Sequence, residues 1–445
     1  MTALPGARGL GTLGLGSLGS ALREVPVRTR SGRVVKLVGT LLEAELPGAR
    51  VGEVCHVEGG GPAETVGFRG HNALLMPFGS TDGIRYGARV DTVGDMPTVS
   101  VGDGLRGRVL DGFGEPIDGK GPLGPTTRRA LHAAPPDPLR RTVIRQPLET
   151  GVRVLDGLLT LGRGQRVGLM AGSGVGKSTL LGMIARRSAA DVNVIALIGE
   201  RGREVREFIE DVLGPEGLAR SVVVVVTSDK SPVLQVRGAF VAATIADYLR
   251  DEGDDVMFFM DSVTRLAMAQ RQIGLATGEP PTTKGYTPSV FGLLPRLLER
   301  AGPGVDGSGS ITALYAVLVD GDDMQDPIGD AVRGIVDGHV VLSRRIASQG
   351  QFPAVDVLQS LSRVMPNVTT RQHLDAAIKM RRLLATWSEN EELVRLGVYR
   401  AGASPEVDQA IARIEPIRAF LRQRTDEASG LGPALAGMEA VVGVK

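Results

Sequence analysis

The 445-residue chain has one cysteine, one tryptophan and five histidines, and only 4% of its residues are aromatic. The lone Cys55 excludes an internal disulfide and fits a reducing compartment. It lies in an alternating apolar stretch beside His56, which reads as a core thiol next to a surface imidazole rather than a metal pair. Charge of one sign is also lacking: 51 basic residues face 50 acidic ones, for a net charge of +1. Bulk electrostatics therefore offer nothing to a nucleic acid. No run approaches the ~18–20 apolar residues of a membrane span. Residues 4–22 come nearest, being Leu/Gly-rich with Arg8 as their sole charge. Gly6, Gly9, Gly11, Gly14, Gly16 and Gly19 oppose a stable helix there, so the segment reads as a flexible tail or one that folds on a partner.

What is present is enough apolar material, 42%, for real cores, in a chain long enough for two or three domains. Between 24 and 95, Val25–Arg30, Val34–Val38, Gly52–Val57 and Ala73–Phe78 read as short strands separated by turns, the pattern of a small barrel. Residues 96–145 are dense in Gly and Pro and read as a linker or an ordered lead-in. From 146 to about 370, apolar runs recur at Val192–Ile198, Val222–Val226, Val256–Met260, Ile311–Val319 and Val340–Leu342, several separated by helical patterns. Such runs predict a mostly parallel sheet covered on both faces, an α/β class domain. From 371 the chain reads as helical. Leu374, Ile378, Met380, Leu383, Leu384 and Trp387 suggest one stripe, and Val407–Leu421 a second helix.

The most informative stretch follows the apolar run Val167–Met170: Ala171-Gly172-Ser173-Gly174-Val175-Gly176-Lys177-Ser178, then helix-forming residues from Thr179. Strand, glycine-rich loop, lysine, hydroxyl and helix follow in the order a phosphate-binding loop needs. Glycines let backbone N–H groups turn toward a polyphosphate, and the helix aims its positive end at it. Lys177 reaches the outer phosphates and the Ser178 hydroxyl suits Mg²⁺. The first position is Ala171 where the strict motif has glycine.

Asp261 ends the run Val256–Met260, a position suited to hold Mg²⁺ through water, or, read alone, to cap the next helix. Glu200 follows Ala196–Gly199 at another strand end, where a carboxylate can orient or deprotonate a water. Read alone, Gly199–Glu204 is a charged loop, and Asp251, Glu252, Asp254 and Asp255 a solvated turn. Arg363, in Ser360-Leu-Ser-Arg, suits an arginine presented across a subunit boundary, but spacing does not separate it from the solvated arginines around it. Phe352 offers a face to adenine, and by itself reads as core packing.

Together these motifs resemble the hexameric ATPase family that includes the catalytic subunit of rotary ATP synthases, and within it the flagellar protein-export ATPases and their sister type III secretion (injectisome) ATPases. The residues carrying this are Gly199–Val205, Asp261–Gln270, Gly278–Tyr286, Asp320–Met324, Asp326–Ile328 and Arg333–His339, and the likeness covers roughly residues 24–425. After the flexible tail read over 1–23, it implies a small β-barrel over 24–95, a RecA-like domain over 96–370 and a helical domain over 371–445. It implies ATP and Mg²⁺ as cofactors. Lys177 then contacts the outer phosphates, Ser178 binds Mg²⁺ and Thr179 lies close to the α-phosphate. Glu200 matches the catalytic glutamate, with Arg201 beside it. Asp261 matches the Mg²⁺ aspartate and Arg265 a site arginine. Phe352 packs on adenine, and Arg363 is the finger supplied by the neighbouring subunit. Alanine in place of Ala171's expected glycine is a family trait.

The resemblance further implies a homohexamer at the cytoplasmic face of the inner membrane. Its partners would be a stator-like regulator at the N-terminus, a central stalk-like protein, chaperone–substrate complexes and a membrane export gate, with no nucleic acid. The glycine-rich tail departs from the amphipathic helix that often binds the stator. Thr283-Lys-Gly-Tyr286 and Asp322-Asp-Met324 lean toward the flagellar branch, with the injectisome branch as the alternative. A rotary proton-coupled subunit ranks lower, because one chain carries both Glu200 and Arg363. An RNA-translocating ring ranks lower too, because residues 24–95 offer only Phe68, Phe78 and Tyr86 for base stacking. A docking platform with incidental hydrolysis stays open.

Overall fold

Alternating small apolar and polar residues fold the first part of the chain into a closed six-stranded barrel. Its strands are β1 (Ser31–Val38), β2 (Leu41–Glu45), β3 (Val54–Val57), β4 (Gly61–Arg69), β5 (Asn72–Pro77) and β6 (Arg89–Thr92), in the order β1-β2-β5-β4-β3-β6. Val34, Leu42, Ala44, Cys55, Val57, Leu75 and Val90 fill it. Cys55 is fully buried and burial pushes its thiol up to about 11, while His56, one residue on, faces outward. The structure is a computed structural model and describes residues 30–93, 97–305, 307–319 and 326–443, which fall into two compact units, one within 1–97 and one within 98–445. The tail expected over 1–23 and the segment Asp320–Met324 lie outside the described residues, as does the expected strand Val25–Arg30 except for Arg30.

The second unit is built on a mostly parallel sheet. Its strands are β7 (Arg108–Leu110), β8 (Arg166–Ala171), β9 (Val192–Glu200), β10 (Ser221–Thr227), β11 (Asp255–Asp261), β12 (Ser310–Leu318), β13 (Gly338–Leu342) and β14 (Leu361–Ser362). The order is β14-β13-β8-β12-β11-β9-β10-β7, with Gly302–Pro303 pairing off β12. Among the described residues of this sheet, only β14 and Gly302–Pro303 run antiparallel. Every residue of β9 is buried, as its unbroken apolar run requires of a strand covered on both faces. The covering helices include α1 (Arg153–Leu158), α2 (Lys177–Arg187), α3 (Pro232–Asp251) and α4 (Val263–Thr277).

The chain ends in α5 (Arg371–Arg395), α6 (Pro405–Leu421) and α7 (Leu431–Val442). Ala376, Ala377, Met380, Leu383, Ile417, Phe420 and Met438 join one core with Leu155, Leu158 and Leu181. Ile378 departs from the expected stripe and is 47% exposed. It sits two residues from Met380, about 200° round the helix, and the buried face is made instead by His373 and small alanines.

The Gly/Pro-rich lead-in is ordered: it supplies edge strand β7 and the ribbon Thr98–Val101 with Thr127–Ala130. Acids expected to be merely solvated hold parts of this unit together. Asp254 takes two bonds from Arg106 at 2.7 Å, Asp251 pairs with Arg129, and Asp255 pairs with Arg163 and accepts from Ser310 at 2.6 Å. Beneath them the Arg300 guanidinium, 2% exposed, donates to Asp247, to the Thr244 hydroxyl and to the Leu131 carbonyl. Asp247 also accepts from Arg250 at 3.0 Å. Asp247 thus bridges two buried guanidinium groups, of which Arg250 has Asp251 as a second partner at 2.8 Å. Asp247→Ala is expected to lower unfolding stability by ~3–5 kcal/mol, because it leaves the buried Arg300 guanidinium without a carboxylate while Arg250 keeps Asp251, and urea denaturation measures it.

Candidate active site

The site grows from the carboxyl ends of β8, β9 and β11, which lie near one another in the sheet. Ala171 ends β8, 1% exposed, and the chain turns through Gly172–Gly176 into α2, whose first residue is Lys177. Gly174 and Gly176 have φ of 77° and 92°, a left-handed backbone that a side chain strains. Val175 points inward, 1% exposed, and anchors the loop, while Ser173, Gly174, Ser178 and Thr179 face the opening.

The Lys177 ammonium bonds the Asp261 carboxylate and lies 3.8 Å from Glu200. Arg265, on α4, brings its Nε within 3.4 Å of the same Glu200 oxygen. Asp261 does not cap α4; the Ser262 hydroxyl accepts from the Arg265 N–H instead, which leaves Asp261 to face Lys177. Glu200 reaches the site through a bulge. The register of β9 against β10 shifts between Ile198 and Glu200, with Gly199 at φ 71° between them. A Cβ at Gly199 would lie 2.9 Å from Arg265 carbons, so only glycine permits both the bend and the close approach.

Burial, and then the Asp261 charge beside it, push the Glu200 carboxyl well above the ordinary range; Lys177 and Arg265 oppose this. Two carboxylates and two cations thus share one pocket of about 550 Å³, which also touches Ser178 and Thr179. Arg201 begins the helix Gly202–Glu207, is exposed, and pairs with Glu204 at 3.5 Å.

On the other side of the loop opens a cleft of about 810 Å³. Phe352 lines it with 49% of its surface exposed and its ring edge against the loop: a Cβ on Gly176 would come 3.9 Å from it. Phe352 is therefore no core residue. The far wall is Arg422–Glu427, the strap between α6 and α7. The sequence reading missed that strap. Its only signal is a polar run, Arg422-Gln-Arg-Thr-Asp-Glu427, directly after an apolar helix.

Arg363 does not join these residues. It is exposed, follows β14, and its N–H bonds the Asp337 carbonyl at the start of β13. Asp337 lies beside Arg166, the first residue of β8, whereas the loop begins at the last, Ala171. At ~3.3 Å per residue the two ends of β8 are about 17 Å apart, beyond the reach of one arginine side chain.

Residues 34–94 match the β-barrel domain of the ATP synthase alpha/beta family, 151–362 its nucleotide-binding domain, and 369–440 the C-terminal domain of the T3SS EscN ATPase. A flagellum-specific ATP synthase of Bacillus subtilis is 53% identical over 420 residues, spanning 93% of this chain and 95% of that one. The chain belongs to the flagellar and type III secretion ATPases. A type 3 secretion system ATPase of Xanthomonas euvesicatoria is 54% identical over 413 residues, 92% of this chain and 93% of that one, so both branches of these ATPases stand equally near. The assembled ATPase EscN of enteropathogenic E. coli superposes with a TM-score of 0.89 at 47% identity, covering 92% of this chain and all of that one. In complex with its central stalk EscO it gives 0.86 at 46% identity, over the same shares. The ATPase is thus an export-type member of the ATP synthase alpha/beta family with a nucleotide-binding domain. No helix among its described residues is long and apolar enough to cross a membrane.

Proposed function

We propose that this ATPase hydrolyses ATP at sites shared between neighbouring copies in a ring and thereby drives flagellar protein export. The observation that carries the reading is the division of charged groups between the two ends of the sheet. Lys177, Glu200, Asp261 and Arg265 converge at one end, and Arg363 stands exposed near the other. Lys177 leaves Asp261 for the β- and γ-phosphates, Thr179 borders the α-phosphate and Phe352 stacks on the base. Glu200 orients the attacking water and accepts its proton, aided by Arg265, with Arg201 at the rim. Arg363 of one copy neutralises charge developing on the γ-phosphate in the next.

The donor set fits Mg²⁺. No group of three or more Asp, Glu, His or Cys among the described residues forms a metal cage. Mg²⁺ on a nucleotide needs none: it keeps phosphate oxygens and waters and asks the protein for a hydroxyl and one or two carboxylates. Ser178 and Asp261 supply these, and the ion spreads the negative charge of the outer phosphates.

Ring assembly is supported by the likeness to assembled EscN, and a central stalk partner by the likeness to EscN with EscO. A homohexamer working peripherally at the inner membrane, with a stator-like regulator on the tail, chaperone–substrate complexes and an export gate, completes the reading. The flagellar branch rests on Thr283-Lys-Gly-Tyr286, whose Tyr286 is 5% exposed and packs edge-on against Phe291. Deleting the gene and scoring both hook and filament subunits and injected effectors in the medium tests this. Loss of the flagellar subunits is the expected result. Intact filaments with lost effectors assign the injectisome branch.

A further inference from the structure

Gln423 is 4% exposed and every hydrogen-bonding group of its side chain is engaged. Its Oε1 accepts from the Arg153 backbone N–H at 2.7 Å. Its Nε2 donates to the Gly151 carbonyl at 2.9 Å and the Glu427 carbonyl at 3.0 Å. These partners dictate which end of the amide is oxygen. Its own backbone N–H donates to the Phe352 carbonyl at 2.9 Å.

The platform beneath it is fixed. Asp156 accepts from the Thr150 N–H, the Thr150 hydroxyl and the Gly151 N–H at 2.8, 2.7 and 3.1 Å, locking the turn that carries Gly151 and Arg153. Arg187, at the end of the phosphate-loop helix, holds the strap from its other side through the Thr425 carbonyl at 2.6 Å.

From these contacts we infer that Gln423 is a positioning residue of the nucleotide cleft: it sets the strap and, through it, the height of the Phe352 ring above the phosphate loop. This rests on the reading that Phe352 stacks on the base. Gln423 touches no phosphate-side group, so its influence falls on the base and not on the triphosphate. Leucine keeps the bulk and loses all three side-chain bonds. Asparagine keeps the amide but is one methylene too short to meet Gly151 and Arg153 together.

The test measures KM for ATP, kcat, and inhibition by Mg-tripolyphosphate, which has phosphates and no base, in Gln423→Leu, Gln423→Asn and Phe352→Ala. Both Gln423 variants are expected to raise KM for ATP about five- to tenfold, the loss of one or two net hydrogen bonds' worth of positioning, with kcat changed less than about twofold and tripolyphosphate inhibition unmoved. The asparagine variant serves if leucine unfolds the chain. KM unchanged in both variants while Phe352→Ala raises it overturns the role of Gln423 alone. Equal weakening of ATP and tripolyphosphate overturns it in favour of general loosening. KM unchanged in Phe352→Ala overturns the stacking reading and this inference with it.

Discussion

Glu200→Gln is expected to bind ATP at least as tightly as the parent and to hydrolyse it ~10²–10⁴-fold more slowly, the span a positioned general base contributes. The substitution is nearly isosteric, so the bulge at Gly199 and the contact with Arg265 survive. What disappears is the ability to take a proton from water. Affinity holds because a buried carboxylate 3.8 Å from Lys177 competes with the phosphates for that ammonium, and the amide competes less. Stopped-flow binding of a fluorescent nucleotide, set beside phosphate release, separates the two effects. Parental turnover in the variant removes Glu200 from the chemistry.

The same carboxylate fixes a pH dependence. Its burial and the neighbouring Asp261 raise its pKa, so the ionised, base-competent form is lost at a higher pH than for a glutamate of ordinary pKa 4.5. The acid limb of kcat/KM, which reports the nucleotide-free enzyme, therefore lies well above pH 4.5, and it climbs with pH toward neutrality. Stability of the nucleotide-free protein carries the opposite sign. A raised folded pKa stabilises fully below the unfolded value, and that contribution is lost as pH rises through the folded one. Glu200→Gln removes both slopes, which a paired kcat/KM and thermal-melt profile measures.

How much of this was legible in the sequence follows from how local each feature is. The phosphate loop was legible because one short segment holds its strand, glycines, lysine and hydroxyl together. The five buried strands stood out because strands covered on both faces must be apolar throughout. Edge strand β7 did not, since three residues inside a Gly/Pro-rich segment carry no period. Strand β4 was also invisible: its pairing with β5 slips between Thr65 and Gly67, which breaks the alternation. Glu200 could be placed at a strand end, but not aimed, because its direction depends on Gly199 meeting a side chain of α4. Gln423 left no trace at all. Three of its four bonds run to residues about 270 and 71 positions away, and only tertiary structure brings those together.

Arg363→Ala is expected to leave ATP affinity within a few fold of the parent and to lower ring-dependent hydrolysis by ~10³–10⁵, the range for an arginine supplied to a developing γ-phosphate charge. Affinity is expected to survive because the groups proposed to bind ATP, Lys177, Ser178, Thr179 and Phe352, all line clefts beside the loop, and Arg363 lines neither. Stability survives as well: the residue is exposed, and its backbone N–H to Asp337, which holds β14 on β13, is untouched by truncation. Mixing decides between in-cis and in-trans action. A copy carrying Glu200→Gln has an intact finger and a dead pocket; a copy carrying Arg363→Ala has the reverse. If the finger acts across the boundary, rings of the two inactive variants regain activity at every interface where the intact finger meets the intact pocket, and turnover follows the statistics of mixing. If Arg363 served its own chain's pocket, each copy would remain dead and no mixture would recover. Arg363 begins about 17 Å along the sheet from its own loop, which speaks against in-cis action, so complementation is the expected result.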